Sequence, residues 1–214
     1  MKRATRLLCI LMLLFATALP ARAEHFYIGG TKIQYTIPDT YVLAPDFFFE
    51  QMKQNFADAT NNAFQCSVIY VSKEDYEKIN TGIFESIHDY FYFAYLTEIE
   101  FKLMNRINFE ASKPIVYKAT TDHMKNFSVE DVTFNLYGEP VILENDDTEF
   151  TVAYVLLMTK NHKSGTMLAT NSMFLIKGKF VFLQHFRQID NDEDINEITD
   201  RLASIREHVI ADNQ

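Results

Sequence analysis

Alternating apolar and polar positions mark the first predicted element, near residue 30. Ile33, Tyr35 and Ile37 alternate with polar residues in "TKIQYTI", and Gly29-Gly30 precedes this run. Period-two alternation is typical of a β-strand with one buried face, and a Gly-Gly pair suits a two-residue hairpin turn. The pattern predicts a β-hairpin that ends before Pro38, because proline lacks an N–H donor for strand pairing.

The next stretch changes from helical to β spacing. Apolar residues recur every three or four positions in "PDFFFEQMKQNFADATNN", which predicts a helix that stops near Asn61-Asn62. "AFQCSVIYVS" is rich in Val, Ile and Tyr and predicts a strand over 63–72. Ser72 stands three residues before Asp75, a spacing that resembles a capping box and predicts a short helix ending near Gly82.

An unusually dense run of aromatic residues, "HDYFYFAYLTEIE" at 88–100, follows this helix. Local alternation fits a strand, but helical spacing persists over about 20 residues, which is long for a strand. We therefore predict a long helix here, with its main stripe at Phe84, Ile87, Phe91, Tyr95, Ile99 and Leu103. Three roles stay open for its wide apolar surface: a core element, a contact with a partner or second copy, or the wall of an apolar ligand pocket.

The last third of the chain predicts a meander and a closing helix. "EFTVAYVLLMTK", "TMLATNSMFLIK" and "KFVFLQHFRQ" are β-rich runs joined by short polar or glycine-containing turns. A stripe from Ile195 to Val209 then predicts an amphipathic helix, whereas "KPIVYKAT" at 113–120 predicts a further strand.

The first 23 residues have the layout of a secretory signal peptide. Lys2, Arg3 and Arg6 precede an apolar run over 7–19, and "ARA" ends at Ala23, the predicted cleavage site. This predicts a periplasmic or secreted chain, with residues 24–214 as a single domain. Removal of four basic and no acidic side chains would change the formal charge from −9 to −13. Such acidity argues against binding to nucleic acid or anionic lipid, and we expect no membrane span after cleavage.

Candidate chemistry is sparse, and no sequence motif indicates a metal or another cofactor. Cys66, the cysteine left after cleavage, lies in a predicted inner strand, where we expect a buried and inert thiol. Among the histidines, His185 in the meander is the strongest functional candidate, although the favoured interpretation is a hydrogen-bonded core or edge histidine. A dyad of Cys66 and His185 stays conceivable, because sequence does not tell whether they are close in space.

The two ends of the chain together resemble the PsbP-like exported proteins. The resemblance lies in "FYIGGTKIQYTIPDTYVLA", a hairpin followed by Pro and an aromatic residue, and in "KFVFLQHFRQ" with "INEITDRLASIREHV", a last strand and closing helix. It covers about 90 residues and has Tyr41 where that family usually has Trp. The resemblance implies an antiparallel sheet between helices and a non-enzymatic accessory role, with no catalytic residues to transfer.

These patterns together predict an α+β fold, with an antiparallel β-sheet flanked by α-helices and a helical insertion around 72–107. The predicted function is that of a non-catalytic accessory or binding protein of the bacterial periplasm, acting on a protein partner or a small apolar ligand, with a homodimer possible. The predicted binding residues are Tyr90, Tyr92, Tyr95 and His185. The alternative is an envelope hydrolase with a site near His185 or Cys66.

Overall fold

The computed structural model describes residues 22–81, 87–125, 127–129, 132–160, 163–189 and 195–214. Within these residues an antiparallel eight-stranded sheet runs in the order β3-β4-β5-β10-β9-β8-β7-β6, and β1 and β2 form a separate hairpin. The predicted α+β class, an antiparallel sheet flanked by helices, is therefore confirmed. The strands are β1 (Arg22–Ile28), β2 (Thr31–Ile37), β3 (Tyr41–Leu43), β4 (Phe64–Ser72), β5 (Asp89–Leu96), β6 (Phe127–Val129), β7 (Val132–Asn145), β8 (Glu149–Lys160), β9 (Lys163–Ile176) and β10 (Lys179–Ile189).

Helices cover both faces of the sheet. They are α1 (Asp46–Ala59), α2 (Lys73–Thr81), α3 (Arg106–Met124) and α4 (Ile195–Ala211). The first three pack on one face through residues such as Phe48, Ile79 and Phe109. The hairpin and α4 pack on the other face through residues such as Ile33, Tyr35 and Ile205. No helix in the described part of the chain is long and apolar enough to span a membrane.

Several predicted elements are confirmed where turn or cap chemistry defines them. Gly29 and Gly30 adopt φ values of +51° and +81° at the hairpin turn, a region that non-glycine side chains rarely enter. Asn61 and Asn62 also have positive φ, just after α1 ends. The Ser72 side chain accepts a hydrogen bond from the Asp75 N–H at 3.1 Å, as expected for the start of α2.

The predicted long aromatic helix is wrong, because residues 89–96 form strand β5 at the centre of the sheet. Alternate side chains of β5 enter the two cores, so Tyr92 and Ala94 face α1 while Phe91 and Phe93 face the hairpin. A strand buried on both faces has no polar side to reveal its period. The helical spacing arose because the segment spans a strand and the loop after it, where Phe101 and Leu103 are exposed. Residues 82–86, including Phe84, lie outside the described residues.

The predicted strand over 113–120 is also wrong, since these residues belong to α3. Its start is defined by a reciprocal capping box. The Asn105 side chain accepts from the Asn108 N–H at 3.0 Å, and the Asn108 side chain accepts from the Asn105 N–H at 3.1 Å. Asparagine replaces the usual Glu or Gln of this motif, and Pro114 inside the helix favoured the strand interpretation.

Candidate binding site

The four predicted binding residues lie on the two central strands, β5 and β10. Tyr92 and Tyr95 are buried and Tyr90 is half-buried. Because side chains alternate along a strand, Tyr90 and Tyr92 lie on the α1 side, whereas Tyr95 and His185 lie on the hairpin side. Tyr90 stacks on Phe186, with 5.1 Å between the ring centroids. The structure does not bring the three tyrosines together on one surface, and their role in binding a partner stays a prediction.

His185 belongs to a buried hydrogen-bond network centred on Asp89. The Tyr41 hydroxyl donates to both carboxylate oxygens of Asp89, at 2.8 and 2.9 Å. His185 Nε2 lies 2.7 Å from Asp89 Oδ1, and Arg187 Nη1 lies 2.5 Å from Asp89 Oδ2. An ionised carboxylate can only accept, so His185 carries its proton on Nε2 and donates to Asp89.

The Asp89 carboxyl stays ionised despite its burial. Burial alone would raise its pKa, but the hydrogen bond and charge of His185, followed by Tyr41 and Arg187, outweigh burial and hold the pKa below its usual range. Its negative charge is therefore balanced by the neighbours that bind it. Such a carboxylate fixes the positions of β3, β5 and β10 relative to one another rather than serving as a general base.

A second buried carboxylate, Asp75, joins α2 to the start of β5. Its Oδ2 accepts the backbone N–H groups of His88 and Asp89 at 2.9 and 2.8 Å. Its Oδ1 lies 3.0 Å from His88 Nδ1 and 3.9 Å from Lys78 Nζ. The two backbone bonds hold the start of β5 against α2, and the contact with Nδ1 orients the His88 ring.

These two networks meet at a polar cleft of about 490 Å³ between α2 and the ends of β3, β5 and β10. Asp75, Asp89, Arg187 and Tyr41 border it, but His185 does not and is only 2 % exposed. Of the charged side chains that border it, Asp89 pairs with Arg187, and Asp75 pairs with His88 and Lys78. Within the described residues no group of three or more His, Cys, Asp or Glu side chains could hold a metal ion.

Sequence reasoning found His185 but missed the residues that bind it. Asp89 and Tyr41 are 96 and 144 positions away from His185 in the chain. No local motif joins them, because they meet only through strand pairing. The one local signal was the Ser72–Asp75 spacing, which marked the helix start that places Asp75 at the cleft.

The dyad of Cys66 and His185, which the sequence left conceivable, does not form. Cys66 of β4 lies opposite Ala94 of β5, and its side chain enters the core on the α1 side. His185 is opposite Phe91, whose side chain enters the core on the other face of the sheet. Because the sheet separates the two side chains, a dyad cannot form. This geometry gives no support to the alternative function, an envelope hydrolase with a site near His185 or Cys66.

The Cys66 thiol is expected to resist alkylation in the folded protein. Burial raises its pKa to about 12, so the reactive thiolate is scarce at neutral pH. Iodoacetamide labelling followed by peptide mass spectrometry should show an unmodified Cys66 in buffer and a modified one in urea. Rapid labelling of Cys66 in the native protein would contradict its placement in the core.

Comparisons with known proteins give a distant structural likeness. No protein-family model and no curated protein matches the chain. Among the solved structures, the Ran-binding protein Mog1p of Saccharomyces cerevisiae matches with 9% identity over 90% of this chain and 94% of that one, at a TM-score of 0.40. A point mutant of Mog1 matches with 10% identity over 89% and 94%, also at 0.40. A likeness this weak carries no argument about function.

Two expectations from the sequence are corrected by these comparisons. The resemblance to PsbP-like exported proteins is wrong, because no protein-family model matches the chain. The predicted periplasmic or secreted location is corrected with it: no comparison supports export, and we do not propose it. The predicted signal sequence lies almost entirely outside the described residues.

Proposed function

We propose that this chain is a non-catalytic binding protein that docks a protein partner on an exposed apolar tip, defined as Phe101 and Leu103. The observation that carries the proposal is their exposure, 81 % and 77 %, on a backbone that is held in place. Large exposed apolar side chains presented together are typical of protein contact sites. We take residues 24–214 as one domain, since the hairpin and α4 pack on the same face of the sheet.

Two turns contact the backbone of the apolar tip, one at Gly178-Lys179 and one at Gly29-Gly30. Lys179, only 3 % exposed, donates through Nζ to the carbonyl oxygens of Glu100 and Lys102, at 2.7 and 2.9 Å. The Met104 N–H donates to the Gly178 carbonyl at 2.8 Å. At the hairpin turn, a Cβ on Gly29 would lie 2.2 Å from the Glu100 carbonyl oxygen, so only glycine permits this approach. An anchored tip loses little conformational entropy on binding, which favours affinity.

The chemistry of the tip defines its partner. Lys102 stands exposed between Phe101 and Leu103, and no acidic side chain among the described residues pairs with it. A partner that fits has an apolar pocket with a carboxylate at its rim. A small apolar ligand is a poorer candidate, because small ligands bind in concave sites that enclose them.

Affinity measurements on tip variants test this function. A partner would first be captured from an extract of the source cells on immobilised full-length chain, identified, and purified. Calorimetry should then show at least tenfold weaker binding to the double variant Phe101→Ser with Leu103→Ser, and weaker binding to Lys102→Glu. Thermal unfolding should be almost unchanged, because these side chains are exposed.

Tyr137→Ser is the matched control, because Tyr137 is also an exposed ring but lies on β7, away from the tip. It should bind the partner as the unmodified chain does. Equal affinity for the tip variant and the unmodified chain would refute the proposal. So would an extract in which every captured protein binds the tip variant and the unmodified chain alike.

A further inference from the structure

The outer face of α3 carries a second apolar surface, independent of the apolar tip. Ile107 and Ile115 are 78 % and 66 % exposed, and Ala111 and Ala119 are exposed between and beyond them. The opposite side of the helix already packs in the core through Phe109 and Thr120. A helix that is apolar on its solvent side as well as its core side indicates a further contact.

The outer residues alternate between large and small at a fixed spacing. Ile107, Ala111, Ile115 and Ala119 follow one another every four positions, so they form one line along the helix. In an antiparallel pair of such helices, with Ile107 of one copy opposite Ala119 of the other, Ala111 of the first lies opposite Ile115 of the second. Every isoleucine then meets an alanine, and the line is complementary to itself.

We propose that the chain forms a homodimer through the outer faces of two antiparallel α3 helices, about a twofold axis. Isologous contacts of this kind use the same patch on both copies and need no other chain. The 19 residues of α3 span about 28 Å, enough for several turns of contact. One helix pair buries less than the roughly 800 Å² per partner of a standard interface, so the dimer is weak and depends on concentration.

The surroundings of the line accommodate this arrangement. A shallow hollow of about 440 Å³ lies beside Ala119, bordered by Pro114, Ile115, Lys118 and Asp122. In the proposed register this hollow receives the Ile107 side chain of the second copy. Lys118 and Asp122 form an ion pair within their own helix, so the face brings no uncompensated charge into the contact.

Sedimentation equilibrium on the full-length chain tests the dimer through a swap of residue sizes. The single variant Ala111→Ile places isoleucine against isoleucine and should weaken dimerisation at least tenfold. The double variant Ala111→Ile with Ile115→Ala restores a large–small pair at each contact and should return the dissociation constant to within about threefold of the original. Tyr137→Ser should dimerise normally.

The outcomes are decisive in both directions. A chain that stays monomeric at all accessible concentrations overturns the proposal, and so does a single variant that associates normally or a double variant that does not recover. Association driven by the apolar run at 7–19 would be insensitive to the swap. Thermal unfolding checks the fold, since exposed helix positions tolerate these residues with little change in stability.

Cross-linking tests the antiparallel register itself. In a Cys9→Ser background, a mixture of the Ala111→Cys chain and the Ile115→Cys chain should form a mixed disulfide faster than either chain alone. Preferential linkage of Ala111→Cys to itself would place equal positions opposite each other and contradict the register. Neither result depends on the apolar tip, so the dimer can fail while partner docking stands, or the reverse.

Discussion

Replacing Asp89 with alanine is expected to lower the free energy of unfolding by about 3–5 kcal/mol, because it removes a buried carboxylate that three side chains bind. Asp89 accepts from Tyr41, His185 and Arg187, so the substitution removes one acceptor from each of them. Urea unfolding at pH 7 measures the change. Glu74→Ala is the control: Glu74 borders the same cleft and pairs with Lys78, but its side chain is exposed, so we expect less than about 1 kcal/mol.

The stabilisation by Asp89 should also depend on pH in a defined direction. Its pKa is lower in the folded protein than in the unfolded chain, so its contribution is complete above the unfolded value of about 3.9 and declines as the pH falls through the lower folded value. The difference in unfolding free energy between the wild type and Asp89→Ala should therefore be constant from pH 7 to about 5 and shrink below about pH 4. A difference that persists unchanged into strong acid would show that Asp89 is not ionised in the network.

Phe93→Ala is expected to destabilise the protein by about 3–5 kcal/mol, through loss of apolar contact and the cavity left behind. Phe93 is fully buried on β5, and its ring centroid lies 4.7 Å from that of Tyr35 and 5.4 Å from that of Phe26. It therefore joins the sheet to the hairpin that covers it. Chemical denaturation with fluorescence or circular dichroism detection measures the loss.

Phe101→Ala makes the same chemical change at an exposed position and is the matched control. Because this ring is in solvent, we expect a change within about 0.5 kcal/mol. A helix over 84–107, as the spacing suggested, would turn Phe93 about 200° away from the stripe residue Phe91. A loss for Phe93→Ala as small as that for Phe101→Ala would therefore favour the helix and contradict strand β5.

The elements that sequence predicts well here are those with a polar side or a defined turn. The hairpin at Gly29-Gly30 and the amphipathic α1 both expose alternate or opposite residues, so their periods are readable. Strand β5 has no such contrast, because both of its faces are buried, and aromatic residues suit a buried helix as well as a strand. We chose the helix because the three-to-four-residue spacing continued for longer than a strand usually does. That spacing continued only by chance, across strand β5 and the loop after it.

The candidate sites are harder to predict than the fold, for physical reasons. The Asp89 network depends on the pairing of β5 with β10, which brings distant residues together without a local motif. The apolar tip was assigned to a buried stripe, because Leu103 fits helical spacing and nothing in the sequence shows that Lys179 fixes the backbone elsewhere. Hydrophobicity predicts burial only when the element and its neighbours are known.

The pairing of β5 with β10 has a consequence for synthesis of the protein. The ribosome releases β5 long before it has made β10, because α3 and strands β6 to β9 lie between them in the chain. Until then, one of the most aromatic segments of the chain has an open edge next to it, and such edges recruit other strands. We therefore expect the nascent polypeptide to be prone to aggregation through that edge until β10 has been made.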